Sequence, residues 1–217
     1  MTPESAITGL KRINGKLKHK TILIGLTGVP GTGKSLAAEY LEEMGALIIS
    51  GDQTGKDIVE DIPEILPNIV SEFGNEILSP DGSLNRKSLG HIVFADNSKL
   101  EKLNSIIHPP LIELLMARID EYRRLEITSI IVVDAALIFE WGIENWFDHI
   151  LVVTADESIQ LKRLMDSGLS KKDAENRIKS QISQNKKADK ADFVIENNGS
   201  KAELRDKVAE FLTEIKS

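Results

Sequence analysis

The stretch from Ile22 to Gly45, ILIGLTGVPGTGKSLAAEYLEEMG, constrains this chain more than any other part of it. An apolar run leads into a glycine-rich loop, and a helical pattern follows. Gly28 to Ser35 fits the pattern Gly, four residues, Gly-Lys-Ser/Thr, in the frame the pattern needs: a strand before it and a helix beginning within it. The glycines let the backbone curl into an anion-binding nest, and let amides approach phosphate oxygens where a Cβ would collide. The positive end of the helix dipole points into the same hollow. Such a loop holds a nucleoside triphosphate. Its contact candidates are Gly28, Gly31, Thr32, Gly33, Lys34, Ser35 and Leu36. Lys34 reaches the β- and γ-phosphates, and the Ser35 hydroxyl ligates Mg²⁺ directly.

The rest of the chain agrees with an α/β frame. Strands are predicted over Thr21–Leu26, 46–50, 129–140, 149–155 and 192–198. Helices are predicted over Lys34–Met44, Gln53–Glu60, Ile62–Phe73, Asn85–Phe94, Ser98–Ile107, Pro109–Glu126, Asp156–Asp166, Ser170–Ser183 and Lys201–Ile215, with Asn85 as an N-cap. This alternation implies a three-layer α/β sandwich around a phosphate-loop core, with a mostly parallel five-stranded sheet. The core comprises 21–52, 127–160 and 190–217. The block 53–126 contains no strong strand and reads as a helical insert between the second and third strands.

Charge and composition exclude several classes of function. The net charge of −7 argues against a nucleic-acid binder, and no apolar run approaches the ~20 residues of a membrane span. The charge is uneven, however. From Lys162 to Lys190 nine Lys/Arg stand against four Asp/Glu, an island suited to an anionic ligand or to a solvated helix face. Residues 1–20 carry five more cations against Glu4 alone and lack the apolar core of a signal peptide, so they read as a flexible basic extension. The chain has no cysteine, which removes disulfides and thiol chemistry and fits a reducing, cytoplasmic setting. A monomer or small homo-oligomer is expected.

Three side chains outside the loop invite chemistry. Asp52 follows the second strand, where ligands collect in open α/β sheets, beside the phosphate loop if strands one and two are neighbours. Its carboxylate can orient or deprotonate a hydroxyl attacking the γ-phosphate, or it can N-cap the following helix. Asp134 closes the run Ile130-Ile131-Val132-Val133 and either supports Mg²⁺ through a water or caps a strand end. His108, before Pro109, reads as a capping or packing residue, and Trp141 and Trp146 as packing over the sheet end. A GTP-dependent switch is the reading from another class. Its Asn-Lys-x-Asp signature fails, because Ala188 stands three residues after Asn185.

Five motifs in order resemble the dephospho-coenzyme A kinases. They are GLTGVPGTGKS; LIISGDQTGKDIV; DGSLNRKSLGHIVFADNSKLEKLNSIIHPPLI; VVDAALIFE; and RIKSQ followed by ADFVIENNG. The resemblance covers about Ile22 to Phe211 and implies ATP-dependent phosphorylation of the ribose 3′-hydroxyl of dephospho-CoA, with Mg²⁺ accompanying ATP. It implies that Asp52 is the catalytic base, with Lys34 assisting. Lys56, Arg86 and His108 then fall in the helical region that receives the CoA portion. Arg163 belongs to a basic lid spanning 161–189, and Asn198 and Gly199 to a loop near the adenine. Four features depart from the family pattern: Ser50 replaces an Asp, Gly55-Lys56 an Ala-Arg, and Ala136 a Pro, and a second lid arginine about four residues after Arg163 is missing. Lys171, Lys172 and Arg177 are candidates to stand in for that arginine. The alternative acceptors are other small hydroxyl compounds, such as nucleosides or nucleotides.

Overall fold

Strand β1 (Ile22–Thr27) is apolar along its length because both of its faces are covered. Leu23 enters one core, and Ile24 and Leu26 enter the other. The same alternation splits β3 (Ile130–Asp134): Ile131 and Val133 go to the first core, Ile130 and Val132 to the second. The computed structural model describes residues 21–126 and 128–216; the extension expected over residues 1–20 lies outside them.

Five strands form one sheet in the order β2-β3-β1-β4-β5, and every pairing is parallel. β2 is Leu47–Ser50, β4 His149–Thr154 and β5 Phe193–Glu196. β3 therefore lies between β1 and β2, so the condition of neighbouring first and second strands, under which Asp52 would lie beside the phosphate loop, is not met. In register, Leu26 and Ser50 flank Asp134 on either side, so the carboxyl ends of the three strands finish in one row. β3 is also shorter than the expected 129–140. After Asp134 the chain leaves the sheet as a turn, and the Ala136 carbonyl accepts the Thr27 hydroxyl at 3.0 Å.

Helices α1 (Lys34–Glu43) and α9 (Lys201–Glu214) cover one face, burying Leu41, Leu204, Val208 and Phe211. The other face is covered by α2 (Gly51–Asp61), α3 (Ile65–Phe73), α4 (Arg86–Phe94) and α5 (Asn97–Leu125), through residues such as Ile58, Ile69, Leu89 and Leu115. Asn85 caps α4 by accepting the Ser88 amide, as its sequence position predicts.

Helix α5 differs from the sequence reading. Two helices broken at His108-Pro109 were expected, but one helix of 29 residues passes through Pro109 and Pro110. An interior proline costs about 3 kcal/mol because it removes a backbone donor and crowds the preceding turn. The packing that offsets this is continuous across the prolines: Leu103 and Ile107 precede them, and Leu111, Leu115 and Ile119 follow, all in the same core. A second difference lies beyond α6 (Glu157–Asp166). The helix expected over 170–183 is two, α7 (Lys171–Lys179) and α8 (Gln184–Ala188), because Ser183 starts a new N-cap. No described helix is long and apolar enough to cross a membrane.

Candidate active site

The phosphate loop is held open by what leans on it from behind. Gly31 has φ +84°, and a Cβ there would lie 2.7 Å from the Gln160 carbonyl oxygen, so α6 packs directly against the loop. Gly33, at φ +92°, is the N-cap of α1, and a side chain there would strike the Asn197 amide. Because Gly33 has no side chain to cap the helix, the first amides of α1 remain available to an anion. Asn197 is buried and donates to the Thr32 carbonyl at 2.7 Å. The Arg163 guanidinium donates to the carbonyls of Gly31, Thr32 and Asn197 at 3.2, 3.1 and 3.0 Å. Thr32 turns its hydroxyl inward to the Val29 carbonyl, and Leu36 packs its side chain into the second core.

In front of the loop lies a cavity of about 410 Å³. Gly28, Gly31, Gly33, Lys34 and Ser35 form one side. Asp52, Ala136, Arg163, Arg177 and Gln181 are among the residues that complete it. Lys34 pairs with the Asp134 carboxylate at the centre of the strand row. Ser35 is exposed to the cavity, and its hydroxyl has no hydrogen-bond partner among the described residues.

Asp52 occupies the first turn of α2, but it is not the N-cap. Ser50 holds that position and accepts the Gln53 amide at 3.1 Å. Of the two roles open to Asp52, capping is therefore taken, and its exposed carboxylate has no partner among the described residues. The departure at Ser50 also has a physical account, since Ser and Asp are comparable N-caps.

Other candidates do not line this cavity. Asn198 is engaged with Asp156, accepting its amide at 2.8 Å and donating to its carboxylate at 3.0 Å. Gly199 precedes the Ser200–Glu203 capping box of α9. Lys56 is exposed on α2, and its carbonyl accepts from Arg86 at 3.4 Å. His108 is half-buried on α5, where its Nε2 accepts the Trp141 indole N–H at 2.8 Å and burial pushes its pKa down. Arg86 lines a second cleft, of about 340 Å³, between α4 and α7. Lys87, His91 and Arg177 line it as well, and Arg177 belongs to both hollows.

The basic island resolves into distinct parts. Lys187 is fully buried, bonded to both Glu140 oxygens at 2.9 Å and to the Ala136 carbonyl at 2.6 Å. Burial is the main cause lowering its pKa, and Glu140 opposes that shift. Lys171 pairs with Glu175 at 3.8 Å. Arg177 has no ion-pair partner among the described residues. The resemblance placed Asn197 with Asn198 and Gly199 in a loop near the adenine, but nothing in the sequence pointed to its hold on the Thr32 carbonyl or to Gln181.

Similarity to known proteins follows the same residues. The dephospho-CoA kinase family profile matches residues 22–203. A dephospho-CoA kinase of Fusobacterium nucleatum is 41% identical over 191 residues, 88% of this chain and 96% of that one. One from Geobacter sulfurreducens is 39% identical over 189 residues, 87% of this chain and 95% of the other. Among solved structures, the dephospho-CoA kinase from Campylobacter jejuni superposes with a TM-score of 0.64 at 30% identity, covering 90% of this chain and 97% of that one. A shikimate kinase from Acinetobacter baumannii, with a TM-score of 0.51 and 13% identity over 91% of this chain and 94% of its own, shares the fold. With its phosphate loop, its unpaired Asp52 and these relatives, this chain belongs to the dephospho-CoA kinase family.

Proposed function

We propose that the protein transfers the γ-phosphoryl group of ATP to the ribose 3′-hydroxyl of dephospho-CoA, giving CoA and ADP in the last step of CoA biosynthesis. The observation that carries this reading is one cavity holding both halves of the reaction: free α1 amides and Lys34 on one wall, an unpaired Asp52 on another. Asp52 orients the 3′-hydroxyl and takes its proton as the O3′–P bond forms and the bond from the γ-phosphorus to the β-bridging oxygen breaks. Lys34 exchanges Asp134 for the β/γ-phosphate oxygens and stabilises the charge that moves onto ADP.

The donors around the loop suit Mg²⁺. Ser35 offers a free hydroxyl and Asp134 a carboxylate nearby, both oxygen ligands of the kind this ion takes beside phosphates and water. Among the described residues no cluster of three carboxylate, histidine or cysteine side chains forms a metal cage, in keeping with an ion that arrives with its nucleotide. When bound, Mg²⁺ would be held by the Ser35 hydroxyl directly and by Asp134 through water, and would supply neutralisation of phosphate charge.

Residues 161–189 serve as the lid and 53–126 as the acceptor-binding insert. Arg163 grips the loop carbonyls at the edge of the cavity, next to the Asn197–Gly199 segment that receives the adenine. Arg177 takes the place of the missing second lid arginine, because it faces the cavity unpaired while Lys171 is engaged elsewhere. The acceptor enters by the cleft between α4 and α7, with Arg86 and Lys56 on the insert side supplying cations for its phosphates. His108 serves it through Trp141, whose ring abuts Gly51 beside Asp52.

The test is ADP release from Mg-ATP with and without dephospho-CoA. Release should depend on the acceptor, and Asp52→Asn should lower it roughly 10²- to 10⁴-fold. ATP binding without stimulation by dephospho-CoA would reject this acceptor. Acceptor-independent turnover with a preference for GTP would reject the kinase reading.

A further inference from the structure

Asp52 has no partner of its own, yet the residues on either side of it are tightly held. Arg118, on the far helix α5, donates through one guanidinium nitrogen to the Thr54 hydroxyl at 2.7 Å and through another to Asp57 at 2.6 Å. Thr54 is fully buried, and its hydroxyl passes the chain of bonds on to the Ser50 carbonyl at 2.8 Å. Asp57 closes the ring by accepting the Gln53 side-chain amide at 2.7 Å. The N-terminal half of α2 and its cap are therefore held at 50, 53, 54 and 57, on both sides of residue 52. The Arg118 hydrogen bond is the main cause holding the Asp57 carboxyl below the usual carboxylate range.

We infer that Arg118 is the positioning residue for Asp52: it sets the rotation of α2 about its axis and thereby aims the carboxylate at the acceptor hydroxyl. This rests on the reading of Asp52 as catalytic base. A side-chain carboxylate lies about 5 Å from its helix axis, so a rotation of about 10° moves it about 1 Å. A displacement of that size costs up to about 100-fold in rate. Van der Waals packing through Ile58 and Val59 holds α2 on the sheet but resists such a rotation weakly. The directional bonds to Arg118 resist it. The guanidinium fork matters because an ammonium cannot bond Thr54 and Asp57 at the two angles that a planar group reaches together.

The experiment is a double-mutant cycle between Arg118→Met and Asp52→Asn, with kcat, KM for both substrates and the MgATP Kd measured for each. In the native background Arg118→Met should lower kcat about 30- to 100-fold and leave the MgATP Kd unchanged, since the phosphate loop is untouched. In the Asp52→Asn background it should lower kcat less than 3-fold, because there is no base left to misplace. Arg118→Lys should recover only part of the loss. An equal cost in both backgrounds, a changed Kd for MgATP, or full activity of Arg118→Met overturns the inference and leaves the kinase reading standing. Full activity of Asp52→Asn overturns both. Should Arg118→Met fail to fold, Asp57→Asn in the same cycle decides by the same non-additivity.

Discussion

At the scale of single residues, geometry fixes the partners that side chains meet. Lys34 pairs with Asp134 at the carboxyl ends of the central strands. His108 is kept neutral by burial and by the Trp141 N–H that its Nε2 accepts. Its folded pKa is depressed, so the associated stability is present above about pH 6.5 and is lost as the pH falls below that value. In that window the unfolded chain takes up a proton that the folded chain excludes. In a Trp146→Phe background, Trp141 fluorescence should therefore titrate with a midpoint below about 6.5. His108→Gln should abolish the transition, and a midpoint above that of a free imidazole would contradict the assignment. The sequence marked His108 as a packing residue on its own terms, but nothing local named Trp141, 33 residues away.

At the scale of elements, helix ends were legible and helix continuity was not. The caps at Asn85 and Ser200 are local chemistry, written within four residues of where they act. The break at Pro109 is local chemistry too, but the apolar stripe of α5 outweighs it, and that stripe gains its energy only from distant segments, α2, α3, α4 and the sheet. The same contrast separates Ser50 from Arg118. Ser50→Ala should cost about 1 kcal/mol through loss of the α2 cap, a fall of roughly 2 to 4 °C in Tm, and Ser50→Asp should restore it. Thermal denaturation of the two variants checks this; equal Tm values for them would show that the cap contributes nothing. Arg118 carries no such local sign, because its partners Thr54 and Asp57 lie 64 and 61 positions earlier. The phosphate loop was readable because all of its donors fall within eight consecutive residues. The positions of Asn197 and Gln160 behind it depend on the sheet bringing distant segments together.

At the scale of the molecule, one buried ion pair ties α8 to the turn after β3. Lys187, on α8, reaches Glu140 and Ala136 in the turn after β3, and Glu140 also accepts the Ile182 amide. From sequence this lysine counted among the cations of the basic island, suited to an anionic ligand or to a solvated helix face, because charge patterning carries no information on depth. Glu140→Gln leaves the ammonium buried without its counter-charge and should cost about 3 to 5 kcal/mol, lowering Tm by roughly 10 °C. Lys187→Met, which removes the charge itself, should be milder. A calorimetric scan of both variants tests the order, and a larger loss for Lys187→Met would refute it. The strand order has a consequence for how the chain is made. The phosphate-loop sequence leaves the ribosome early, but β1 stays without either neighbour until residues past 130 and then 149 have followed. The loop's rear supports, Gln160 and Asn197, arrive later still. A motif written before the rest of the sheet thus becomes competent to hold its nucleotide only once translation has passed Asn197.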